Sequence, residues 1–239
     1  MKPRRSGPKK SSPRVRRRPP VPIPQPALLA NANAFASTGG LLNWLAPKES
    51  PKSELDSPTQ IVLRAFRYAA VKHRQQTLAD GVTPYFAHVV RVCWILRDVF
   101  RVNDTATIVA SILHDVVEDT NTAIEEIEAR FGKTIAQYVD LLTKDAALPK
   151  RQRERDYHEK LLNAPETVQI AKLADLYDNL SRRIGTARLP STIKNARSLA
   201  GIFAPLLTSR RGRAAVGRVQ QLISEIESTE LGRRARRKA

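Results

Sequence analysis

From Ser57 to about residue 231, outside a charged stretch at 144–165, apolar positions recur every three or four residues, the period of amphipathic helices buried on one side. Ser57-Pro58 has the form of a helix N-cap followed by proline at the first helical position. Ile61, Val62, Ala65, Phe66, Ala69 and Ala70 then continue a helix expected to end near Gln76. Asp80-Gly81 and Pro84 predict a loop. Beyond it, Val89, Val92, Cys93, Leu96 and Val99 mark the inner side of a second helix. Asn103-Asp104 can cap a third, which runs through Ile108, Ile112 and Leu113 into His114-Asp115. Thr122-x-x-Glu125 has the form of a capping box, opening a short helix closed by Gly132. Further helices are predicted over 134–142, 166–183, 191–208 and 214–231, with a strongly charged stretch at 144–165 leading to Pro165. Alternating strand patterns and hairpin dipeptides are absent. The expected fold is all-α, a multi-helix bundle.

Charge changes this picture at the two ends. Residues 1–50 carry 10 Lys/Arg and 1 acid, residues 51–206 carry 22 and 19, and residues 207–239 carry 9 and 3. The net charge of +18 therefore belongs to the termini, flanking an ordinary near-neutral domain. Residues 1–53, rich in Pro and Arg with almost nothing to bury, are expected to be a disordered basic tail. Residues 54–208 form the domain, and 209–239 a basic C-terminal helix and tail. Such ends suit weak contact with nucleic acid or an acidic surface. No apolar run approaches the ~20 residues that span a bilayer. The single cysteine, Cys93, lies in an apolar run and fits a reducing, cytoplasmic setting. Eight prolines before position 27 argue against the amphipathic helix of a transit peptide. Nothing in the pattern specifies an oligomeric state.

The candidate chemistry lies in Ser111-Ile112-Leu113-His114-Asp115-Val116-Val117-Glu118-Asp119-Thr120. Four acidic or imidazole groups within six residues, directly after an apolar run, are costly to bury unless a positive charge sits among them. His88, at the start of the second helix, and Asp175, in an otherwise apolar helix, supply further donors. Imidazoles with carboxylates make a mixed nitrogen and oxygen shell, suited to Mn2+, Fe2+ or Zn2+ more than to Ca2+. The bland alternative is that His88 caps a helix and the acids are solvated.

His88…His114-Asp115…Asp175 resembles the H…HD…D signature of the HD phosphohydrolase superfamily. The wider text is similar to the hydrolase domain of the RelA/SpoT family. The similarity lies in His73-x-x-Gln76, Gly81-x-x-Pro84-Tyr85-x-x-His88, His114-Asp115-Val116-Val117-Glu118-Asp119-Thr120, Phe131-Gly132, Leu142-Thr143-Lys144 and Lys172-Leu173-Ala174-Asp175-x-x-x-Asn179. These motifs run in order over about residues 58–185. The resemblance implies a small, stand-alone alarmone hydrolase that removes the 3′-pyrophosphate of guanosine tetra- and pentaphosphate, (p)ppGpp, with Mn2+. It implies metal ligands at His88, His114, Asp115 and Asp175, and a catalytic acid pair at Glu118 and Asp119. Asn179 falls near the substrate ribose and the second shell, and Lys144 and Arg74 are candidates for phosphate contacts, with the cluster Lys150-Arg151-x-Arg153-x-Arg155 behind them. His73 reads as a packed structural histidine, and Tyr85 as core or pocket wall.

The chain departs from the family text in four places. Leu78-Ala79 stands where Arg-Lys is usual, removing a cation and a stacking plane for the base. Val89 replaces a proline after His88, Leu176 an arginine after Asp175, and Asp178 a histidine before Asn179. These read as drift or altered substrate preference, because the four ligands and the acid pair are kept. Competing readings are a phosphohydrolase of another nucleotide, such as the 2′-phosphate of NADPH or an adenosine alarmone, and a nucleotide-sensing nucleic-acid-binding protein. A pure sensor has no need of Glu118-Asp119.

Overall fold

The computed structural model describes residues 57–238, with side chains through Glu230. The basic tail expected over 1–53 lies outside the described residues. Helix α1 (Pro58–Lys72) starts as its sequence predicts: Gln60 N donates to Ser57 Oγ at 3.3 Å, and Ser57 N donates back to Gln60 Oε1 at 2.8 Å. It stops at Lys72, four residues before the expected Gln76. Gln76 instead turns its amide to donate to the Asp119 carbonyl at 2.6 Å. In the loop that follows, Asp80 accepts from the backbone of Val82 and Thr83 at 3.0 and 2.9 Å. Gly81, at φ +70°, supplies the left-handed residue that this turn needs.

Helix α2 (Phe86–Trp94) runs into a π-helical turn (Ile95–Val99), which ends with Phe100 N donating to Ile95 O at 2.9 Å. Arg101, at φ 61°, then swings the chain so that Val102 is buried. The expected single second helix is therefore an α-helix closed by a π turn, and Val99 is only half-buried. Asp104 caps α3 (Thr105–Leu113), accepting from Thr107 N at 2.8 Å. A break at His114-Asp115 precedes the short α4 (Val116–Asp119). The capping box at Thr122 does not form. Its hydroxyl lies 2.8 Å from that of Thr120, and α5 (Ile124–Phe131) starts from Ala123 with no side-chain cap. Gly132, at φ 92°, closes α5 as predicted and opens α6 (Lys133–Leu142).

The charged stretch contains α7 (Lys150–Leu162), which buries only Tyr157 and Leu161. Helices α8 (Glu166–Arg182), α9 (Leu189–Phe203) and α10 (Arg210–Lys238) complete the described bundle. Helix α8 is the axis of the bundle. It packs against α2, α3, α6, α7, α9 and α10, and residues from Val168 to Leu180 are buried around most of its circumference. Helix α10 lays Ala215, Val216, Val219, Ile223 and Ile226 into the common core. No strand occurs among the described residues beyond an isolated bridge between Thr77 and Pro84. No described helix is long and apolar enough to cross a membrane.

Two glycines of α10 carry opposite expectations. Ser209 caps this helix, accepting from Gly212 N at 2.9 Å, while its hydroxyl donates to Glu166 of α8 at 2.6 Å. A Cβ on Gly212 would meet Leu207 Cβ at 2.8 Å as well as the Glu166 carboxylate. Gly212→Ala is therefore expected to destabilise by about 1–3 kcal/mol through overpacking. Gly217 has open space around it. Gly217→Ala should stabilise by about 0.5–1 kcal/mol through helix propensity. Denaturant unfolding of the two variants checks both signs.

Candidate metal centre

Three helices bring four donors to one point. His88 lies in the first turns of α2, His114 and Asp115 occupy the break after α3, and Asp175 sits midway along α8. His88 and His114 are buried to 1% and 5% relative exposure, deeper than ordinary solvated histidines. His88 Nε2 lies 3.6 Å from Asp115 Oδ2 and 3.3 Å from Asp175 Oδ1. His114 Nε2 lies 2.8 Å from Asp115 Oδ2 and 3.9 Å from Asp175 Oδ1. The ligand atoms of His88, His114 and Asp115 all fall within 4.8 Å of one another. The two rings meet edge to face, with centroids 5.3 Å apart.

Hydrogen bonds on the far side of each ligand fix which atom faces the centre. His88 Nδ1 is 2.7 Å from Asp178 Oδ2, and His114 Nδ1 is 2.8 Å from the Ser111 carbonyl. A carboxylate and a carbonyl only accept, so each Nδ1 carries the proton and each neutral ring presents the Nε2 lone pair inward. His114 Nε2 is buried and has no partner with hydrogen-bond geometry, although an oxygen of Asp115 lies beside it. Asp175 is held at both oxygens: Lys172 Nζ donates to Oδ2 at 2.8 Å, and Asn179 Nδ2 donates to Oδ1 at 2.5 Å. The Tyr85 hydroxyl donates to Asp115. Lone pairs on two nitrogens and the Asp115 carboxylate thus converge, with Asp175 beside them in the grip of Lys172, and a divalent cation fits this donor set.

The electrostatics show how strongly the carboxylates draw positive charge, whether a proton or a cation, to these rings. Burial alone would push the His88 imidazole down, but Asp115, Asp175 and Asp178 outweigh it and hold it well above the ordinary histidine range. His114 is raised in the same way by Asp115 and Asp175 against its burial. Burial likewise opposes ionisation of Asp115, yet the two imidazoles hold it well below the usual carboxylate range. Lys172 does the most to hold Asp175 low against its own burial.

Glu118 and Asp119 stand one turn beyond the centre, at its solvent side. The Lys144 backbone N–H donates to Glu118 Oε2 at 3.1 Å, which orients that carboxylate. Asp119 is exposed, with protein packed against part of its side chain. Burial first, then the charges of Asp115 and Glu118, push its carboxyl up to about 6. The Tyr85 hydroxyl, bonded to Asp115, also helps to hold the Asp119 carboxyl down against these effects.

The expected phosphate contacts stay outside this cluster. The Lys144 ammonium pairs with Glu154 at 2.8 Å and lies 5.2 Å over the Tyr157 ring. Arg74 is exposed in the turn after α1, and Lys150, Arg151 and Arg155 are exposed on α7. Asn179 binds Asp175 directly and accepts from Arg182 at 2.6 Å. His73 is buried, as a structural histidine would be, bonding Gln76 at 2.7 Å and packing 4.8 Å from the Tyr85 ring.

Three contributors were not singled out from the sequence. Tyr85 reads from the sequence as wall, yet its hydroxyl donates to the candidate ligand Asp115. Lys172 precedes Asp175 by three residues, a helical spacing that puts both on one face and was the available signal. Asp178 is read there as drift, and no local pattern predicts its contact with His88, 90 positions away.

An HD-domain family model matches residues 65–213. The chain is 40% identical over 127 residues to the guanosine-3′,5′-bis(diphosphate) 3′-pyrophosphohydrolase MESH1 of Xenopus tropicalis, covering 53% of this chain and 71% of that one. It is 38% identical over 120 residues to the Homo sapiens protein of the same description, covering 50% and 67%. A solved metazoan orthologue of SpoT, described as hydrolysing ppGpp, superposes with a TM-score of 0.58 at 28% identity, covering 70% of this chain and 97% of that one.

A bound ion should stabilise the native state by mass action. With Mn2+ at one hundred times its dissociation constant the gain is about 2.7 kcal/mol, or roughly 5–10 °C in Tm for a domain of this size. Thermal unfolding with and without Mn2+ should show this shift in the wild type and lose it in His114→Ala. Because both imidazoles are held above 6.5, protons compete with the ion, so the shift should grow as pH rises from 6 to 8.

Proposed function

This chain belongs to the HD-domain family, in its RelA/SpoT-type hydrolase branch, and from that premise we propose that it is a metal-dependent 3′-pyrophosphohydrolase of guanosine tetra- and pentaphosphate. The observation that carries the reading is the four-donor cluster of His88, His114, Asp115 and Asp175 with an acid of raised pKa, Asp119, one turn beyond it. The activity named for the relatives gives the substrate class.

The residues divide the work. His88, His114, Asp115 and Asp175 would hold a divalent ion, for which Mn2+ suits the mixed donors. That ion supplies charge stabilisation at the phosphoryl oxygens and acidifies water at the site. Asp119 takes the proton of the attacking water, since a carboxyl near 6 is both ionised and basic enough at neutral pH. Glu118, fixed by the Lys144 backbone, orients that water. Water adds to the phosphorus attached to the 3′ oxygen, the bond from that phosphorus to the 3′ oxygen breaks, and the proton taken up by Asp119 is returned to the leaving oxygen, so the products are a 3′-hydroxyl and pyrophosphate. Tyr85 holds Asp115 in place through its hydroxyl. Arg74 and the Lys144 ammonium supply positive charge at the rim for the remaining phosphates.

A second reading within the same chemistry has one observation in its favour. The loop carries Leu78, half-buried, and exposed Ala79, so it presents no cation or stacking plane to a guanine. A 2′-phosphate of NADPH or an adenosine alarmone is the alternative substrate. Free, buried Cys93 accords with a cytoplasmic, reducing setting for either.

Turnover should be measured with Mn2+ on guanosine tetraphosphate, its adenosine analogue and NADPH. Cleavage of the first above the others is expected, and no turnover of any of them would sink the enzyme reading. Asp115→Ala should abolish turnover. On the acid side kcat should rise about tenfold per pH unit and level off above about 6, because protonation disables Asp119. Asp119→Asn should lower kcat by at least about a hundredfold and remove that limb while Mn2+ binding persists.

A further inference from the structure

We propose that Asp178, backed by Arg91, is a positioning residue of the metal centre: it fixes the His88 ring so that its Nε2 faces Asp115 and Asp175. The inference rests on the metal-centre reading and adds a residue that the family text does not supply, since histidine is usual at this position.

The geometry is a clamp. Asp175 and Asp178 are three residues apart on α8 and so share a face. They meet one imidazole at its two ends, Asp175 Oδ1 at 3.3 Å from Nε2 and Asp178 Oδ2 at 2.7 Å from Nδ1. On α2 the same spacing places Arg91 beside His88. Arg91 Nε donates to Asp178 Oδ1 at 2.6 Å and its Nη2 donates to Oδ2 at 3.2 Å, a forked grip that fixes the plane of the carboxylate. Arg182 Nε adds positive charge 3.6 Å from Oδ2. Asp178, His88 and Arg91 are buried to 1%, 1% and 5%.

Stability alone does not call for this arrangement. A buried ion pair gains little over an apolar pair of similar volume, because desolvation of both charges offsets their attraction. What an apolar pair cannot do is accept the Nδ1 proton. With that acceptor gone, either nitrogen can carry the proton, and the ring is free to present N–H to the centre. A carboxylate behind a metal-bound imidazole also makes the ring a better donor. Arg91 supplies the compensating charge, so that Asp178 adds no uncancelled negative charge beside Asp115 and Asp175. A histidine at 178 would leave Arg91 facing an imidazole, so the two residues form one device.

The test uses the full chain and three proteins: wild type, Asp178→Asn, and the apolar double variant Asp178→Leu with Arg91→Met. Mn2+ affinity is measured by calorimetric titration, Tm is measured without metal, and the His88 Nδ1–H resonance is followed in the Zn2+-loaded protein. Affinity should fall about 10- to 100-fold in both variants. The double variant should keep or raise its metal-free Tm while losing the low-field proton signal of a carboxylate-bonded Nδ1–H. Wild-type Mn2+ affinity in folded Asp178→Asn, or in the folded double variant, would overturn the proposal and leave Asp178 a structural ion pair. None of these measurements involves a nucleotide, so they stand even if guanosine tetraphosphate is not the substrate.

Discussion

Two imidazole nitrogens and two carboxylates point their lone pairs at one another inside a helical bundle. Side by side at 2.8 to 3.9 Å, His88, His114, Asp115 and Asp175 need either protons or a cation between them. The pKa directions express the first solution, with imidazoles lifted and carboxylates lowered. The donor set expresses the second. The surrounding fold reads as the means of keeping these groups converged against their repulsion.

Helix α8 does most of that. One helix carries Lys172, Asp175, Asp178, Asn179 and Arg182 on successive turns, so its placement sets a ligand, two groups that hold that ligand, and the carboxylate behind His88. Helical spacing makes these residues neighbours for no further cost in order. Burial around most of α8 then keeps it from rotating, since any turn would bring apolar side chains out of the core. At the solvent side, Tyr85 ties the loop before α2 to Asp115 in the break after α3.

Much of this was legible in the residues. The cap at Ser57, the cap at Asp104 and the stop at Gly132 rest on local chemistry, and each forms as expected. Thr122 shows where local reading fails. Its text fits a capping box, but the Thr122 hydroxyl turns to donate to Thr120 Oγ1, whose own proton goes to the Val116 carbonyl, and the helix starts one residue later from Ala123. The early end of α1 has the same origin, because Gln76 finds a partner 43 positions away at Asp119. The stretch 144–165 is too polar to show a period, and α7 buries only two of its residues, so its helix left almost no apolar trace.

By itself, the sequence determined where most helices run, which carried titratable groups among apolar ones, and which family text those groups compose. Periodicity, caps and motifs are properties of residues close together in the chain, and one chain displays them without folding. The tertiary structure alone decided the tautomer of His88, the bond from Tyr85 to Asp115, and the conversion of Asp178 from an apparent drift into a partner of His88. The His88 contact depends on the distance and rotation between α2 and α8, set by packing of the whole core. No pattern within either helix encodes that distance, which is why a carboxylate could be read in the sequence without revealing the histidine it holds.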